Sequence, residues 1–286
     1  MNKLRTFLVL GRASNLPTVW SNCLAGWWLG SRNWDLETKP LPLLLAGATL
    51  LYLGGMFLND AFDASFDAQF RRERPIPSGA ISERAVWLTG LALLALGLVC
   101  LSFLGLVPAI LGVLLAVCIL VYDAVHKLIT ISPVLMAACR FFLYLVAAST
   151  GSDGVTGAAV WCGLALGAYI VGLSYVAGKE STRTAVRYWP CAFLAAPIIL
   201  AMFMNTNEYL KDALLLSAVL GLWIARQLQH TFRAADRNIG RTVSGLLAGI
   251  PLVDLLAVAD VPKSFAAVFL ALFLLALAFQ RFVPAT

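Results

Sequence analysis

Apolar residues in this chain fall in blocks of about 18–22, the length a helix needs to cross hydrocarbon. Short runs between the blocks gather most of the charge. The blocks lie near 8–30, 40–60, 84–105, 107–125, 131–150, 156–178, 187–204, 210–229, 241–259 and 264–281. This pattern predicts an all-α, polytopic transmembrane helical bundle forming a single membrane-embedded domain over 1–286, with ten segments. The ninth segment is the least regular, because Arg241, Pro251 and Asp254 interrupt it. The first is too long, and too broken by Arg12, Asn15 and Pro17, to resemble a cleaved signal.

Composition removes the water-soluble alternative: mean hydropathy is +0.85 and only 13% of residues are charged. Charge then orients the bundle. With a cytoplasmic N-terminus, sixteen of the 21 Lys and Arg residues fall at or near that side. Arg32, Lys39, Lys211 and Lys263 fall opposite, and Arg140 lies within a segment. An even number of segments puts both termini inside, whereas nine would move the C-terminus out. The bias, with six cysteines sunk in apolar segments, fits a bacterial inner membrane with the active face cytoplasmic. The net charge of +6 is therefore a topology and anion signal; no basic tail or motif points to nucleic acid. The cysteines lack metal-ligand spacing and suit the role of small buried hydrophobes.

Polar chemistry concentrates on one face. The loops at 59–83, 122–130, 178–188 and 226–241 all fall on the predicted cytoplasmic side, and the opposite loops are brief or plain. In NDAFDASFDAQFRRERPIPSG at 59–79, Asp60, Asp63 and Asp67 recur at offsets of three and four. If the helix continues past Asn59, all three carboxylates share one face. Like charges so close repel and raise at least one pKa. A divalent cation relieves that repulsion, and hard oxygen ligands suit magnesium, which keeps several waters and bridges to phosphate. The alternative is a solvated cap in which the acids pair with Arg71, Arg72 and Arg74. Those guanidinium forks equally suit a diphosphate, or lipid headgroups. Pro75 and Pro77 stiffen the chain beyond Arg74, Gly79 reads as a turn, and Ser82 as the N-cap of the next helix with Glu83 in its first turn.

YDAVHK at 122–127 ends the fourth segment, pairing Tyr122 with His126 and Asp123 with Lys127 at i,i+4. Asp123 and Lys127 form either a surface ion pair, or Lys127 donates to diphosphate while Tyr122 hydrogen-bonds a substrate oxygen. His126 has no histidine partner for zinc. The stretch 174–187 holds Tyr175, a Gly178 that ends or loosens the helix, then Lys179, Glu180, Arg183 and Arg187. One carboxylate among three cations is an anion site or a positive-inside loop. Arg140 must face the bundle interior and meet an acid or a substrate oxygen, since an unpaired guanidinium is costly there. Arg12 with Asn15 is a similar case. The 226–241 stretch places Arg226, His230, Arg233 and Arg237 on one side, as a headgroup anchor, or Asp236 and Arg237 close over a cavity.

The run N-D-x-x-D-x-x-x-D followed by R-x-x-R-P-I-x-S-G, carried by Asn59, Asp60, Asp63, Asp67, Arg71, Arg74, Pro75 and Gly79, resembles the first signature of the UbiA-type intramembrane prenyltransferases. The resemblance implies a bundle of nine helices around a central cavity, against the ten segments above. It implies transfer of a prenyl group from a prenyl diphosphate to an aromatic or other lipophilic acceptor, with magnesium held by two aspartate-rich motifs. Tyr122 and Lys127 look like the family's tyrosine and lysine after helix four. The second motif departs: Gly178, Lys179 and Glu180 stand where acids are expected, a pattern similar to the EboC-like branch. The resemblance thus points to Asp60, Asp63, Asp67 and Glu180 as metal ligands with Lys127 beside the diphosphate, and Lys179 on physical grounds takes the position of a second cation. Substrate contacts would come from Asn59, Arg12, Asn15, Arg71, Arg74, Tyr122, Arg140, Tyr175, Glu180 and Arg183. Membrane lipid is the remaining expected partner. Two other functions remain open: a non-catalytic binder or transporter of an isoprenoid or amphiphilic secondary-metabolite intermediate, and a structural subunit with a relic site.

Overall fold

The computed structural model describes residues 3–31, 40–182, 187–205, 209–232 and 238–284, with the side chains of 3 and 180–182 excepted. All regular structure among them is helical. Helix α1 (Lys3–Leu10) passes through a 3-10 turn (Ala13–Asn15) into α2 (Leu16–Ser31). There follow α3 (Leu41–Phe62), the short α4 (Ala64–Phe70), α5 (Glu83–Ser102), α6 (Leu106–Val125), α7 (Ser132–Ala148) and α8 (Gly157–Thr182). A 3-10 segment (Trp189–Ala195) leads into α9 (Ala196–Met204), then α10 (Leu210–Phe232), α11 (Ile239–Ala248), α12 (Ile250–Ala257) and α13 (Lys263–Phe279).

Helical structure occupies each apolar block, yet not as ten unbroken spans. Among the described residues five runs are long and apolar enough to cross a membrane: α3, α5, α6, Gly157–Lys179 of α8, and Ile239–Ala257, which joins α11 to α12. The block at 8–30 breaks at Arg12, whose backbone sits in the left-handed region (φ 42, ψ 49). The block at 187–204 starts as 3-10 helix, and that at 241–259 splits at Gly249, before Pro251. That last block is the least regular in sequence and the most enclosed in the fold. Its window is 72% buried, against 28% for α5 and α6; Thr242 and Asp254 point inward rather than toward lipid, while Arg241 at its start is exposed. Gly178 does not end its helix either: α8 runs on to Thr182.

Small residues set the helix spacing. A Cβ on Gly54 of α3 would stand 2.9 Å from Leu94 N and 3.0 Å from the Gly90 carbonyl of α5. Backbones can approach so closely only where side chains are absent, which is how helices associate when lipid supplies no hydrophobic drive. This contact fixes the line along which α3 delivers its C-terminal acids. Ser82 caps α5 as expected, accepting from the Ala85 N–H at 3.3 Å, with Glu83 in the first turn. Helix α2 lies at the centre and packs on α3, α7, α12 and α13. The outward faces of α5 and α6 show Leu88, Leu96, Val107, Ile110 and Val113 to the surroundings, as a hydrocarbon solvent requires. The chain is a multi-pass integral membrane protein.

Candidate active site

Helix α3 ends at Phe62, Asp63 interrupts it, and α4 resumes at Ala64. The helical pitch survives the interruption. The Asp63 N–H donates to the Asn59 carbonyl at 3.0 Å, and the Asp67 N–H to the Asp63 carbonyl at 2.8 Å. Asn59, Asp60, Asp63 and Asp67 are consequently buried on one face, while Phe62, Ser65 and Ala68 are exposed on the other.

Asp60 and Asp63 meet different cations. Asp60 Oδ1 faces Arg12 Nη2 at 3.4 Å and Arg74 Nη1 at 3.5 Å. Asp63 Oδ1 lies 2.6 Å from Lys127 Nζ and 3.6 Å from His126 Nε2. Tyr122 stacks on His126, with ring centroids 5.0 Å apart and planes at 19°. Arg71 stands at the edge, its guanidinium 6.0 Å from the centre of the Phe66 ring. Behind these pairs runs a relay. Arg12 Nη2 donates to Asn59 Oδ1 at 2.9 Å, and Asn59 Nδ2 donates to Asp123 Oδ1 at 3.0 Å. A carboxylate only accepts, so Asp123 fixes which end of the Asn59 amide faces Arg12.

These environments push neighbouring acids apart. Burial alone would raise the Asp63 carboxyl, but the hydrogen bonds from His126 and Lys127 outweigh it and hold it below the ordinary carboxylate range. Burial lifts Asp67 above that range despite Arg74 nearby. His126 shows the reverse balance: burial would lower its imidazole, yet the bond to Asp63 leaves it raised. Arg74 is lowered by burial and by the like charge of Arg12.

The donor set fits magnesium. Asp60 Oδ2 and Asp67 Oδ1 are buried and have no hydrogen-bond partner among the described residues. Such orphaned carboxylate oxygens are costly unless a cation or donor meets them, and they are the hard ligands magnesium prefers. Among the described residues no three acid, histidine or cysteine side chains gather into a closed metal site. Ion coordination here would therefore need oxygens from substrate and water as well.

Of the residues singled out in the sequence, the fold brings together Arg12, Asn59, Asp60, Asp63, Asp67, Arg74, Tyr122, Asp123, His126 and Lys127, with Arg71 at the edge. The others are placed elsewhere. Asn15 is buried in the 3-10 turn, its carbonyl accepting from the Thr18 hydroxyl at 2.7 Å. Arg140 binds Thr18 and Asn22 of α2 rather than any acid of this site. Lys179 lies 5.4 Å from the Tyr175 ring centre, and the Tyr175 hydroxyl accepts from the Arg187 N–H at 3.0 Å. The Glu180 side chain, Arg183, Arg233, Asp236 and Arg237 lie outside what is described. Of the two readings for Asp123 and Lys127, the surface ion pair is not the one made: Asp123 turns to Asn59 and Lys127 to Asp63. The available signal for Asp123 was an acid inside the last turn of an apolar span, where an unpaired carboxylate is disfavoured.

The profile described as the UbiA prenyltransferase family matches residues 15–239. Among curated proteins, the digeranylgeranylglyceryl phosphate synthase of Metallosphaera sedula is 27% identical over 119 residues, 42% of either chain. That of Methanothrix thermoacetophila is 44% identical over 63 residues, 22% of this chain and 24% of the relative. The chain thus spans less than half the length of these curated relatives. Among solved structures, a UbiA homolog from Archaeoglobus fulgidus bound to GPP and Mg2+ superposes with a TM-score of 0.67 at 15% identity, over 94% of this chain and 99% of that one. The apo structure of a UbiA homolog from Aeropyrum pernix gives 0.66 at 16%, over 88% and 98%. At such identities the likeness to the solved structures is one of fold.

Proposed function

The chain belongs to the UbiA prenyltransferase family, and on that premise we propose that it transfers a prenyl group from an allylic prenyl diphosphate to a lipophilic acceptor, aromatic or otherwise. The observation that carries this reading is the buried stripe of Asp60, Asp63 and Asp67 facing Arg12, Arg74 and Lys127 at the end of a membrane-spanning helix. Few ligands satisfy such a mixture. A diphosphate with its counter-ion does, because it offers oxygens to the cations and a cation to the acids.

Asp60, Asp63 and Asp67, with Glu180 from the end of α8, would hold magnesium, which when bound supplies Lewis-acid polarisation of the departing diphosphate. Arg12, Arg74 and Lys127 donate charge-assisted hydrogen bonds to its oxygens, and Arg71 extends the same cationic rim. As the allylic C1–O bond breaks, the electron pair leaves with the diphosphate, and these fixed cations meet the charge where it develops. The acceptor nucleophile closes its bond to C1 and releases its proton. Tyr122, held by its stack on His126, hydrogen-bonds a substrate oxygen. Lys179, with Tyr175 and Arg183, serves as a second cationic edge in place of a second acid pair. That replacement supports assignment to the EboC-like branch. The bias of basic residues supports nine or ten crossings with the acid face cytoplasmic, in a bacterial inner membrane, although the curated relatives named above are archaeal.

The test supplies purified protein with geranyl, farnesyl and geranylgeranyl diphosphates, magnesium and a lipid-soluble metabolite extract. Acceptor-dependent pyrophosphate release, abolished by EDTA and by Asp60→Asn, is expected. Metal-dependent binding of the diphosphates with no release under any extract would replace transfer with a carrier role.

A further inference from the structure

A second Asp–Asn–Arg relay lies deeper in the bundle and repeats the first. Asn22 Nδ2 donates to Asp254 Oδ2 at 2.7 Å, and Arg140 Nη1 donates to Asn22 Oδ1 at 2.6 Å. Asp254 on α12 also accepts from the Ser21 hydroxyl at 2.5 Å. Both bonds fall on Oδ2, which orients Asn22 just as Asp123 orients Asn59, while Asp254 Oδ1 is buried with no hydrogen-bond partner among the described residues. The two relays are joined along one stretch of backbone. The Asn15 N–H donates to the Arg12 carbonyl, the Thr18 hydroxyl to the Asn15 carbonyl, and Arg140 Nη2 to Thr18 Oγ1 at 3.0 Å. Six residues of helical rise separate Arg12 from Thr18, roughly 10 Å along the bundle axis.

Arg140 is held from behind and left open in front. A guanidinium has five N–H donors. Two on Nη1 go to the Thr18 carbonyl and to Asn22, and one on Nη2 goes to Thr18 Oγ1. Nε and the second Nη2 hydrogen have no partner among the described residues, and the side chain is half-buried rather than sealed. A purely structural ion pair would place Arg140 directly on Asp254, where each charge best offsets the other's desolvation. Asn22 stands between them instead. The adjacent Nε and Nη2 donors form the edge of the fork that grips two oxygens of one oxyanion.

We propose that Arg140, backed by Asn22 and Asp254, is a head-group site for an amphiphile carrying a carboxylate or phosphate, and that this amphiphile is the acceptor. The identification as acceptor rests on the prenyl-transfer reading; the oxyanion site rests on Arg140 alone. Its depth lets a ligand sit below the diphosphate without competing for Arg12, Arg74 or Lys127.

Dodecyl phosphate, dodecanoate, dodecanol and inorganic phosphate are titrated into the purified full chain, with intrinsic tryptophan fluorescence as readout. Both anionic amphiphiles should bind about tenfold or more tightly than dodecanol, as expected of a charge-assisted bidentate contact. The stronger of the two names the head group. Inorganic phosphate binding as well as dodecyl phosphate would overturn the amphiphile assignment. Arg140→Gln should weaken the anionic amphiphiles about tenfold, while geranylgeranyl diphosphate with magnesium keeps its affinity within about twofold. Asp60→Asn should do the reverse. Arg140→Lys keeps the buried charge and serves if the glutamine variant does not fold; losing the fork, it should still weaken the anionic amphiphiles selectively. Equal binding by wild type and both variants, or equal weakening of both ligand classes, sinks the site. Selective anion binding in a protein that never turns over would uphold the site and overturn the transfer reading.

Discussion

Lys127 holds its ammonium 2.6 Å from Asp63 Oδ1 and 3.8 Å from the centre of the Phe66 ring. One cation from the end of α6 thus neutralises an acid of α3 and covers an aromatic of α4. The ammonium is flexible enough to exchange Asp63 for a diphosphate oxygen without leaving the ring. Lys127→Met should lower kcat/KM for the prenyl diphosphate by about a hundredfold, the scale seen when a fixed donor to developing charge is removed. Phe66→Leu should cost about threefold or less, since an exposed cation–π contact contributes roughly 0.5–1 kcal/mol. Steady-state kinetics on the two variants separates the roles.

The same cluster sets a pH response in protein stripped of metal with EDTA. His126 is raised in the folded state, so its bond to Asp63 stabilises fully below the unfolded histidine value and is lost as pH rises through the folded one. Asp63 is lowered, so its contribution is present above the unfolded carboxyl value and is lost only in acid. Of this pair, only the histidine changes between pH 6 and 8. Wild-type protein should melt about 2 °C lower at pH 8 than at pH 6, and His126→Gln should lessen that slope. Thermal unfolding in detergent at the two pH values is the measurement.

Asp123 acts on the site through Asn59. Asp123→Asn leaves the amide of Asn59 free to turn, which takes its carbonyl away from Arg12. An activity loss of about tenfold with little change in melting temperature is expected, the scale on which residues that orient a primary contact act. Asp123→Ala removes the acceptor outright and should also destabilise by about 1–3 kcal/mol, because a buried donor is left unpaired. Kinetics and melting curves on both variants distinguish orientation from scaffold.

The α3–α5 contact has no room for a methyl group. Gly54→Ala should destabilise by about 1–3 kcal/mol through overpacking, and activity should fall with it because α3 carries the acids. Gly221→Ala is the control. Its added Cβ would meet Ile198 Cδ1 at an ordinary 3.7 Å, so the better helix propensity of alanine should leave stability unchanged or raised by about 0.5 kcal/mol. Denaturation in mixed micelles reads both.

What could be foreseen from the chain divides by the range of the interaction. The stripe of Asp60, Asp63 and Asp67 follows from helical spacing alone, and the cap at Ser82 from four consecutive residues; both are as expected. Arg12 reaching Asp60 spans 48 residues, and Asn22 reaching Asp254 spans 232, so no local rule finds either. The i,i+4 rule could not find the partner of Asp123 because it sees one helix, whereas burial delivered one from another. Hydropathy located the apolar blocks, and polar residues and prolines marked the first and ninth as interrupted, but the backbone form of each break was not legible. An average over a window is insensitive to a single left-handed residue at Arg12 or a break at Gly249.

Arg12 alone among the described non-glycine residues has a positive φ, and it also supplies the guanidinium that joins Asn59 to Asp60. Backbone and side chain therefore make opposite demands on one codon. Glycine or asparagine would relax the turn by about 1 kcal/mol while deleting the charge. A screen that rewards melting temperature alone would be drawn toward those replacements and collect robust proteins with a vacated anion grip. Laboratory evolution of this protein should thus select on the proposed prenyl transfer from its first round.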